Sequence, residues 1–516
     1  MLRIFQDELM DPDTFVVTLE LVPGRDSSGR TVDTVMGIAK DAFHDGRVSA
    51  VSITDNPGGN PSLSPDVIGH GIFTIGMDVI VHFTCRDMNR VGMESRALQL
   101  AMMGMKNILA LTGDYAGKGF GGQGAPVFDL DSVNLQIMLS LLNKRIHASG
   151  DPDGFFTGCA VSPFKKTEGE CFTQYAKLGR KAAGGADFVI TQLGYDAAKF
   201  NELLRIQELM GLKQPVIGSV YVLTPGAARI MNQGKIPGAV VTERLLEMVI
   251  GEWKDKKRGR AAAIERAAKQ GVVLKGLGYK GIHIGGIHRD FKIVGEILDR
   301  MDQIEEKWVD FLPEFNYPIE NGFYVFGKDR LLRKAKAGFG KKRIPVSGFD
   351  LLQYYFLKKS HDLFFNHHSL LAPLLRLLCE NMDKGIAGKL FMHLAEHPVK
   401  TMLLSCRKCG DCAIQHVGFF CPESGCPKHT RNGACGGSLN GMCEVKTDRQ
   451  CVWYKAHNRL AAVGEKKELC RGCVPPRLWE LDNTSSWINF HLERDHQGVL
   501  NEITEFCRES TCNILV

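Results

Sequence analysis

Two sets of residues in this sequence could do chemistry. The first is thiol-based. Twelve of the 16 cysteines fall from Cys406 onward. "SCRKCGDCAIQHVGFFC" gives C-x2-C-x2-C, then a fourth cysteine after eight further residues: Cys406, Cys409, Cys412 and Cys421. A second four follows, Cys426, Cys435, Cys443 and Cys451. Four thiolates suit a tetrahedral zinc or an iron–sulfur cluster. The second set is polar residues that end apolar, β-rich runs: Glu20, Thr54, His82, Asp114, Ser162, Gln192, Thr224 and His283. Such groups can exchange protons and orient a ligand, or merely cap the helix that follows.

In a reducing compartment a cysteine cluster binds metal more readily than it forms disulfides. The compact first group has the spacing of ferredoxin ligands, which favours [4Fe-4S], whereas a zinc ribbon would show two separated CxxC pairs. The looser second group leaves a second [4Fe-4S] cluster and zinc both open. Cys470-Arg-Gly-Cys473 is a further CxxC, an alternative ligand pair or free thiols, and Cys507 and Cys512 are expected to be unliganded.

The elements that must position these residues are legible. Eight apolar runs rich in Val and Ile are expected strands: 16–21, 48–54, 78–84, 106–112, 155–161, 186–192, 215–222 and 281–287. Helical patterns such as "MESRALQLAMM" and "AAKFNELLRIQELM" lie between them. Runs of this kind suit strands buried on both faces of a parallel sheet. Eight β/α units imply an α/β fold, a (β/α)8 TIM barrel, with an open doubly wound sheet as the alternative. In a barrel, strand-end residues converge on one rim. There Glu20 is expected to have a raised pKa and act as a general acid, or else to pair with Arg25. The glycine-rich stretch "LALTGDYAGKGFGGQGAP" reads as a close backbone approach to a ligand or as a loop.

Composition is that of an ordinary globular chain: 516 residues, 44% hydrophobic, 24% charged and a net charge of +6. That charge suggests neither a nucleic-acid nor a membrane partner. No apolar run reaches the ~20 residues of a membrane helix, and "MLRIFQDELM" is not a signal peptide, so a cytoplasmic location is expected. Three regions are expected: a barrel over 1–295, a mainly helical segment over 296–400, and a cysteine-rich metal-binding domain over 401–516. Within the second, "FDLLQYYFLKKSHDLFF" and "LLAPLLRLLCENM" read as helices with a buried face, and 328–343 is a basic run, read as a solvated helix face and loop or as a docking site for an acidic electron carrier.

Over roughly residues 10–295 the chain resembles methylenetetrahydrofolate reductase, an FAD-dependent TIM barrel. The matching pieces are "LELVPGR", "VSITDNPGGN", "VHFTCRDMNR", "LALTGDYAG", "KAAGGADFVITQLGYD" and "GIHIGGIHR", in the family's order. The resemblance implies reduction of 5,10-methylenetetrahydrofolate to 5-methyltetrahydrofolate. It assigns Glu20 as the acid that opens the bridging ring and Asp114 as the anion near flavin and pterin. Gln192 matches the pterin-recognising glutamine, and His283 and Arg289 match substrate-side positions. Thr54, His82, Thr112, Gly113, Asp114, Arg180 and Lys181 match flavin contacts. Two departures stand out. "VSPFKKTEGE" lacks the family's aromatic and histidine after the fifth strand, and Gly226 stands where a nicotinamide-stacking aromatic is expected.

The segment over about 400–500 resembles the cysteine-rich C-terminal domain that accompanies this reductase in anaerobes. Its presence implies electrons entering through one or two [4Fe-4S] clusters, from ferredoxin or a multi-subunit oxidoreductase partner. Two other readings remain: NAD(P)H reduction at the barrel with a structural zinc tail, and an inactive barrel bearing a binding module. Self-association is left open.

Overall fold

The computed structural model describes residues 4–326 and 346–509. The basic run 328–343 and Cys512 lie outside them. The eight expected strands all form: β1 (Val16–Leu21), β2 (Ala50–Ile53), β3 (Val79–Thr84), β4 (Asn107–Leu111), β5 (Phe156–Val161), β6 (Phe188–Thr191), β7 (Val216–Tyr221) and β8 (Gly281–Gly285). Each pairs in parallel with its neighbours in chain order, and β1 pairs with β8 through Thr18 and His283. That pairing closes a barrel and excludes the open sheet.

Strand alternation sorts the side chains. On β1, Val17, Leu19 and Leu21 join the apolar shell between sheet and helices, while Val16 joins the inner core and Glu20 lines the barrel mouth. The inner core is apolar at one end: Val16, Ala50, Ile80, Leu109, Phe156, Phe188 and Ile217 pack there. A short helix, Ile4–Met10, plugs that end with Phe5 and Leu9. The Phe5 ring meets Phe156 and Phe188 edge-on at 6.0 and 5.4 Å, and its N–H donates to Asp78. Gly158 is required here, because a Cβ would stand 2.3 Å from the Phe188 ring. Thr18, Ser52, His82, Ser219 and His283 supply buried polar groups further along the strands.

The barrel helices are α1 (Arg30–Asp45), α2 (Pro65–Thr74), α3 (Arg90–Met102), α4 (Ser132–Ala148), α5 (Glu168–Ala183), α6 (Ala197–Met210), α7 (Lys256–Leu277) and α8 (Lys292–Ile304). Helix α5 opens with a capping box between Thr167 and Glu170. It is buried on every side from Gly169 to Lys181, polar residues included. One face meets the barrel. The other meets the cysteine-rich region, where Phe172 and Ala176 share a core with Val417, Phe419, Trp453, Ala456 and Leu460.

Two details depart from the sequence reading. Helix α8 runs across the expected boundary at 295 and packs on α7. The chain then folds back onto the barrel as far as Phe326: the Val325 N–H donates to Glu202 and Arg205 stacks on Phe326. Helices form at Gly348–Phe364 and Ala372–Asp383 as expected, but without a continuous buried face. Tyr354 and Cys379 are buried, whereas Leu352, Phe356, Leu374 and Leu377 are exposed. These helices border an open, apolar cavity of about 580 Å³ instead of a closed core. Of the two readings of the glycine-rich stretch, Lys118–Gly119 and Gly122–Gln123 take the loop, as an exposed hairpin, while Thr112, Gly113 and Asp114 line the barrel mouth. Among the described residues no helix is long and apolar enough to cross a membrane.

Candidate active site at the barrel mouth

Opposite the plugged end lies a cavity of about 450 Å³. Seven of the eight strand-end polar residues line it: Glu20, Thr54, His82, Asp114, Ser162, Gln192 and His283. The eighth, Thr224, caps the helix Pro225–Asn232 by accepting from the Ala227 N–H.

At the floor Glu20 faces two histidines. His283 Nε2 lies 3.9 Å from the Glu20 carboxylate and 3.4 Å from the Ser52 hydroxyl, and its Nδ1 lies 2.8 Å from Thr18 Oγ1. Ligand atoms of Glu20, His82 and His283 all fall within 4.8 Å of one another. Burial pushes the Glu20 pKa up, but the proximity of His283, with His82 and His288 further off, outweighs it. The net shift is downward. The expected raised pKa is therefore corrected, and the partner is His283 instead of Arg25. Burial also lowers the His82 pKa to about 4, partly offset by Glu20.

His82 thus stays neutral when folded but takes up a proton at about 6.5 when unfolded. His457, buried against Phe172 and likewise lowered to about 4, behaves the same way. Folded pKa values below the unfolded value mean stability is complete above about pH 6.5 and is lost as pH falls toward 4. Urea midpoints taken from about pH 7.5 to about pH 5 should show a loss near 2 kcal/mol per histidine. His82→Asn and His457→Gln should each flatten that slope. An unchanged slope would contradict the neutral assignment.

At the rim Asp114 accepts from the Gly58 N–H at 2.9 Å. Gly113 precedes it at φ 88°, and a Cβ there would stand 2.9 Å from Thr84, so the turn requires glycine. Thr112 donates to Ser132. Gln192 lies across the mouth, donating to the Pro237 carbonyl and accepting from the Leu193 N–H. Lys181 reaches the cavity but donates to the Ala160 carbonyl at 2.7 Å, and burial lowers its pKa to about 8. Thr54 Oγ1 and His82 Nε2 are buried without a hydrogen-bond partner. Orphaned polar atoms in a cavity of this size fit a planar heterocycle with nitrogen and oxygen edges, such as a flavin ring.

Two expected site residues lie elsewhere. Arg289 is exposed on the loop after β8, outside the cavity lining. Arg180 points away from the barrel and donates to the carbonyls of Gly472, Asn432 and Arg471. It fastens the cysteine-rich region to α5 instead of holding a cofactor. Arg180→Ala is therefore expected to lower thermal stability by about 1–3 kcal/mol while leaving flavin affinity unchanged. A large drop in flavin content with unchanged stability would restore the original assignment. Gly226 is exposed in the first turn of its helix, outside the cavity.

The sequence reading missed the fourth wall. Lys428, Cys435, Gly436, Gly437 and Glu444 of the cysteine-rich region line the same cavity. Buried Lys428 donates to the Gly113 carbonyl at 2.7 Å and pairs with Glu444. The segment is anchored by Lys165, which donates to the Gly436 and Ser438 carbonyls, and by Asp131, which accepts from the Arg431 and Asn432 N–H groups. The same Asp131 caps α4. Charges spaced between cysteines were the only signal in the sequence.

Cys426, Cys435, Cys443 and Cys451 line one small pocket. Cys409, Cys412 and Cys421 influence one another electrostatically, and Cys412 also senses Cys406. Burial pushes up the thiols of Cys409, Cys412, Cys421, Cys426 and Cys435, and that of Cys451 to about 12. Thiolates there need a metal to hold them. Four cysteines around one small pocket fit a thiolate-held metal centre, zinc and an iron–sulfur cluster alike. Cys473 was expected to ligate or stay free, but it is disulfide-bonded to Cys507, and Cys470 is buried in the core against α5.

Comparison with known proteins gives two family matches. Residues 6–302 match the family described as Methylenetetrahydrofolate reductase, and residues 387–480 match Methylene-tetrahydrofolate reductase C terminal. A Caenorhabditis elegans protein named probable methylenetetrahydrofolate reductase (NADPH) is 26% identical over 173 residues, 33% of this chain and 24% of that protein. Methylenetetrahydrofolate reductase 1 of Schizosaccharomyces pombe is 22% identical over 321 residues, 61% of this chain and 51% of that one. The chain thus spans between a quarter and about half of these relatives' lengths. A solved structure described as an uncharacterized Clostridium thermocellum protein that binds two copies of 5-methyl-5,6,7,8-tetrahydrofolic acid aligns at a TM-score of 0.40. It shares 10% identity and covers 59% of this chain and 99% of that one.

Proposed function

The chain belongs to the methylenetetrahydrofolate reductase family, and from that premise we propose that it reduces 5,10-methylenetetrahydrofolate to 5-methyltetrahydrofolate at the barrel mouth. The observation that carries the proposal is one cavity holding Glu20, His283, Asp114 and Gln192 together with the unpartnered Thr54 and His82. FAD held there by Thr54, His82, Thr112, Gly113 and Lys181 would supply hydride to the substrate's one-carbon unit.

The protein's own groups would do the rest. Ring opening needs a proton at the bridging nitrogen and a fixed anion beside the cation that develops. Glu20 would be the donor, with His283 beside its carboxylate at 3.9 Å and Thr18 fixing the imidazole ring. A bound substrate displaces water from Glu20, strengthening the burial that already raises its proton affinity. Asp114, held by the Gly58 N–H, would stand as the anion. Gln192 would orient the pterin once its amide turns from the Pro237 carbonyl.

Electrons are proposed to enter through [4Fe-4S] clusters held by Cys406, Cys409, Cys412, Cys421 and by Cys426, Cys435, Cys443, Cys451. Their source would be ferredoxin or a partner oxidoreductase. The compact C-x2-C-x2-C spacing supports iron over zinc in the first quartet, and the second takes the same cluster in this reading. Anaerobic purification followed by flavin, iron, sulfide and zinc assays tests this. Bound FAD with iron and sulfide is expected. Zinc without iron would leave NAD(P)H reduction at the barrel as the electron route.

A further inference from the structure

The sequence drew attention to the CxxCxxC group, yet the fold brings the other quartet to the barrel. Cys435 lines both the pocket of its own quartet and the barrel-mouth cavity. Polar groups link it to the site: Cys435 Sγ lies 3.2 Å from the Glu444 carboxylate, Glu444 pairs with Lys428, and Lys428 donates to the carbonyl of Gly113, next to Asp114. No cysteine of the first quartet lines the barrel-mouth cavity. Its Cys412 instead lines the apolar cavity beneath the exposed helices. The two quartets meet at one short helix, Pro422–Gly425, for which Cys421 is the N-cap and Cys426 the C-cap. Four helical residues rise only about 6 Å.

We infer that the two quartets stand in series, with Cys406, Cys409, Cys412 and Cys421 on the outer side and Cys426, Cys435, Cys443 and Cys451 as the station that serves the flavin. This order rests on the iron–sulfur reading above. A low-potential one-electron donor would give up one electron at a time at the outer quartet. Two such transfers leave two donor molecules oxidised and the flavin two electrons richer, its protons drawn from solvent. The inner quartet is then indispensable to flavin reduction, whereas a parallel arrangement would make either quartet dispensable.

The test uses the full chain, purified anaerobically, with reduced methyl viologen as donor. Stopped-flow absorbance follows the flavin and rapid-freeze electron paramagnetic resonance follows the clusters. In Cys443→Ser, which spares every residue lining the barrel cavity, the outer signal should appear at the wild-type rate while flavin reduction slows at least tenfold. In Cys409→Ser, both the inner signal and the flavin should slow. Flavin reduction at the wild-type rate in Cys443→Ser, with iron retained in the outer quartet, overturns the order and leaves the iron–sulfur reading standing. Absence of iron from the wild-type protein overturns both. Should either variant fail to fold, Cys451→Ser and Cys406→Ser, which also spare the barrel cavity, take their places with the same expected and overturning results.

Discussion

Replacing Glu20 by glutamine is expected to slow oxidation of the pre-reduced protein by 5,10-methylenetetrahydrofolate by about 10²–10⁴-fold. Reduction of the flavin by an artificial donor should stay within about twofold of wild type, since the proposed acid acts only on the substrate. Glutamine keeps the size of the side chain but cannot deliver a proton. Glu20 sits at the end of β1 with its carboxylate in the cavity, 3.9 Å from His283. His283→Asn should reproduce part of the loss, because the ring stands beside the donor carboxylate. Equal losses in both half-reactions would instead mark Glu20 as a residue that shapes the flavin site.

The second large effect concerns the cysteine-rich region. Asp411→Asn is expected to destabilise that region by about 3–5 kcal/mol, the cost of breaking one side of a buried ion pair. Asp411 is fully buried and lies between Cys409 and Cys412. It accepts from Arg431 at 2.8 Å, from the backbone N–H groups of Leu478 and His496, and from the His496 ring. Burial pushes its pKa up, yet Arg431 and His496 hold it well below the usual carboxylate range. The stability it contributes is therefore complete above ordinary carboxylate pKa values and disappears in stronger acid. Asparagine leaves Arg431 buried without its counter-charge. Guanidinium unfolding followed by tryptophan fluorescence should report the loss, since Trp453, Trp479 and Trp487 all lie in this region. A shift below about 1 kcal/mol would place Arg431 in contact with solvent.

Much of the fold was legible because the signals were local. Eight Val- and Ile-rich runs bounded by polar residues could be read one at a time, and their number dictated a barrel. The rim followed from the same rule, so Glu20, Thr54, His82, Asp114, Gln192 and His283 could be named together. What failed to show was anything decided by the meeting of distant segments. Arg180 looks like an anion contact until the carbonyls of residues 471 and 472 are seen to receive it. Lys428 and Glu444 look like ordinary surface charges until the cysteine-rich region closes over β4. The sign of the Glu20 shift depended on His283 arriving from β8, 263 positions along the chain. The helices after 346 carried an apolar pattern without a partner layer, and periodicity alone cannot tell a buried face from an open one.

Mixing photoreduced, FAD-loaded protein with 5,10-methylenetetrahydrofolate in an anaerobic stopped-flow instrument measures directly the proposed passage of a hydride at the barrel mouth to the one-carbon unit of a reduced folate. The flavin is expected to be reoxidised in a single turnover, with one 5-methyltetrahydrofolate formed per flavin. A flavin that remains reduced at saturating folate, in protein that still reoxidises with air, would contradict it.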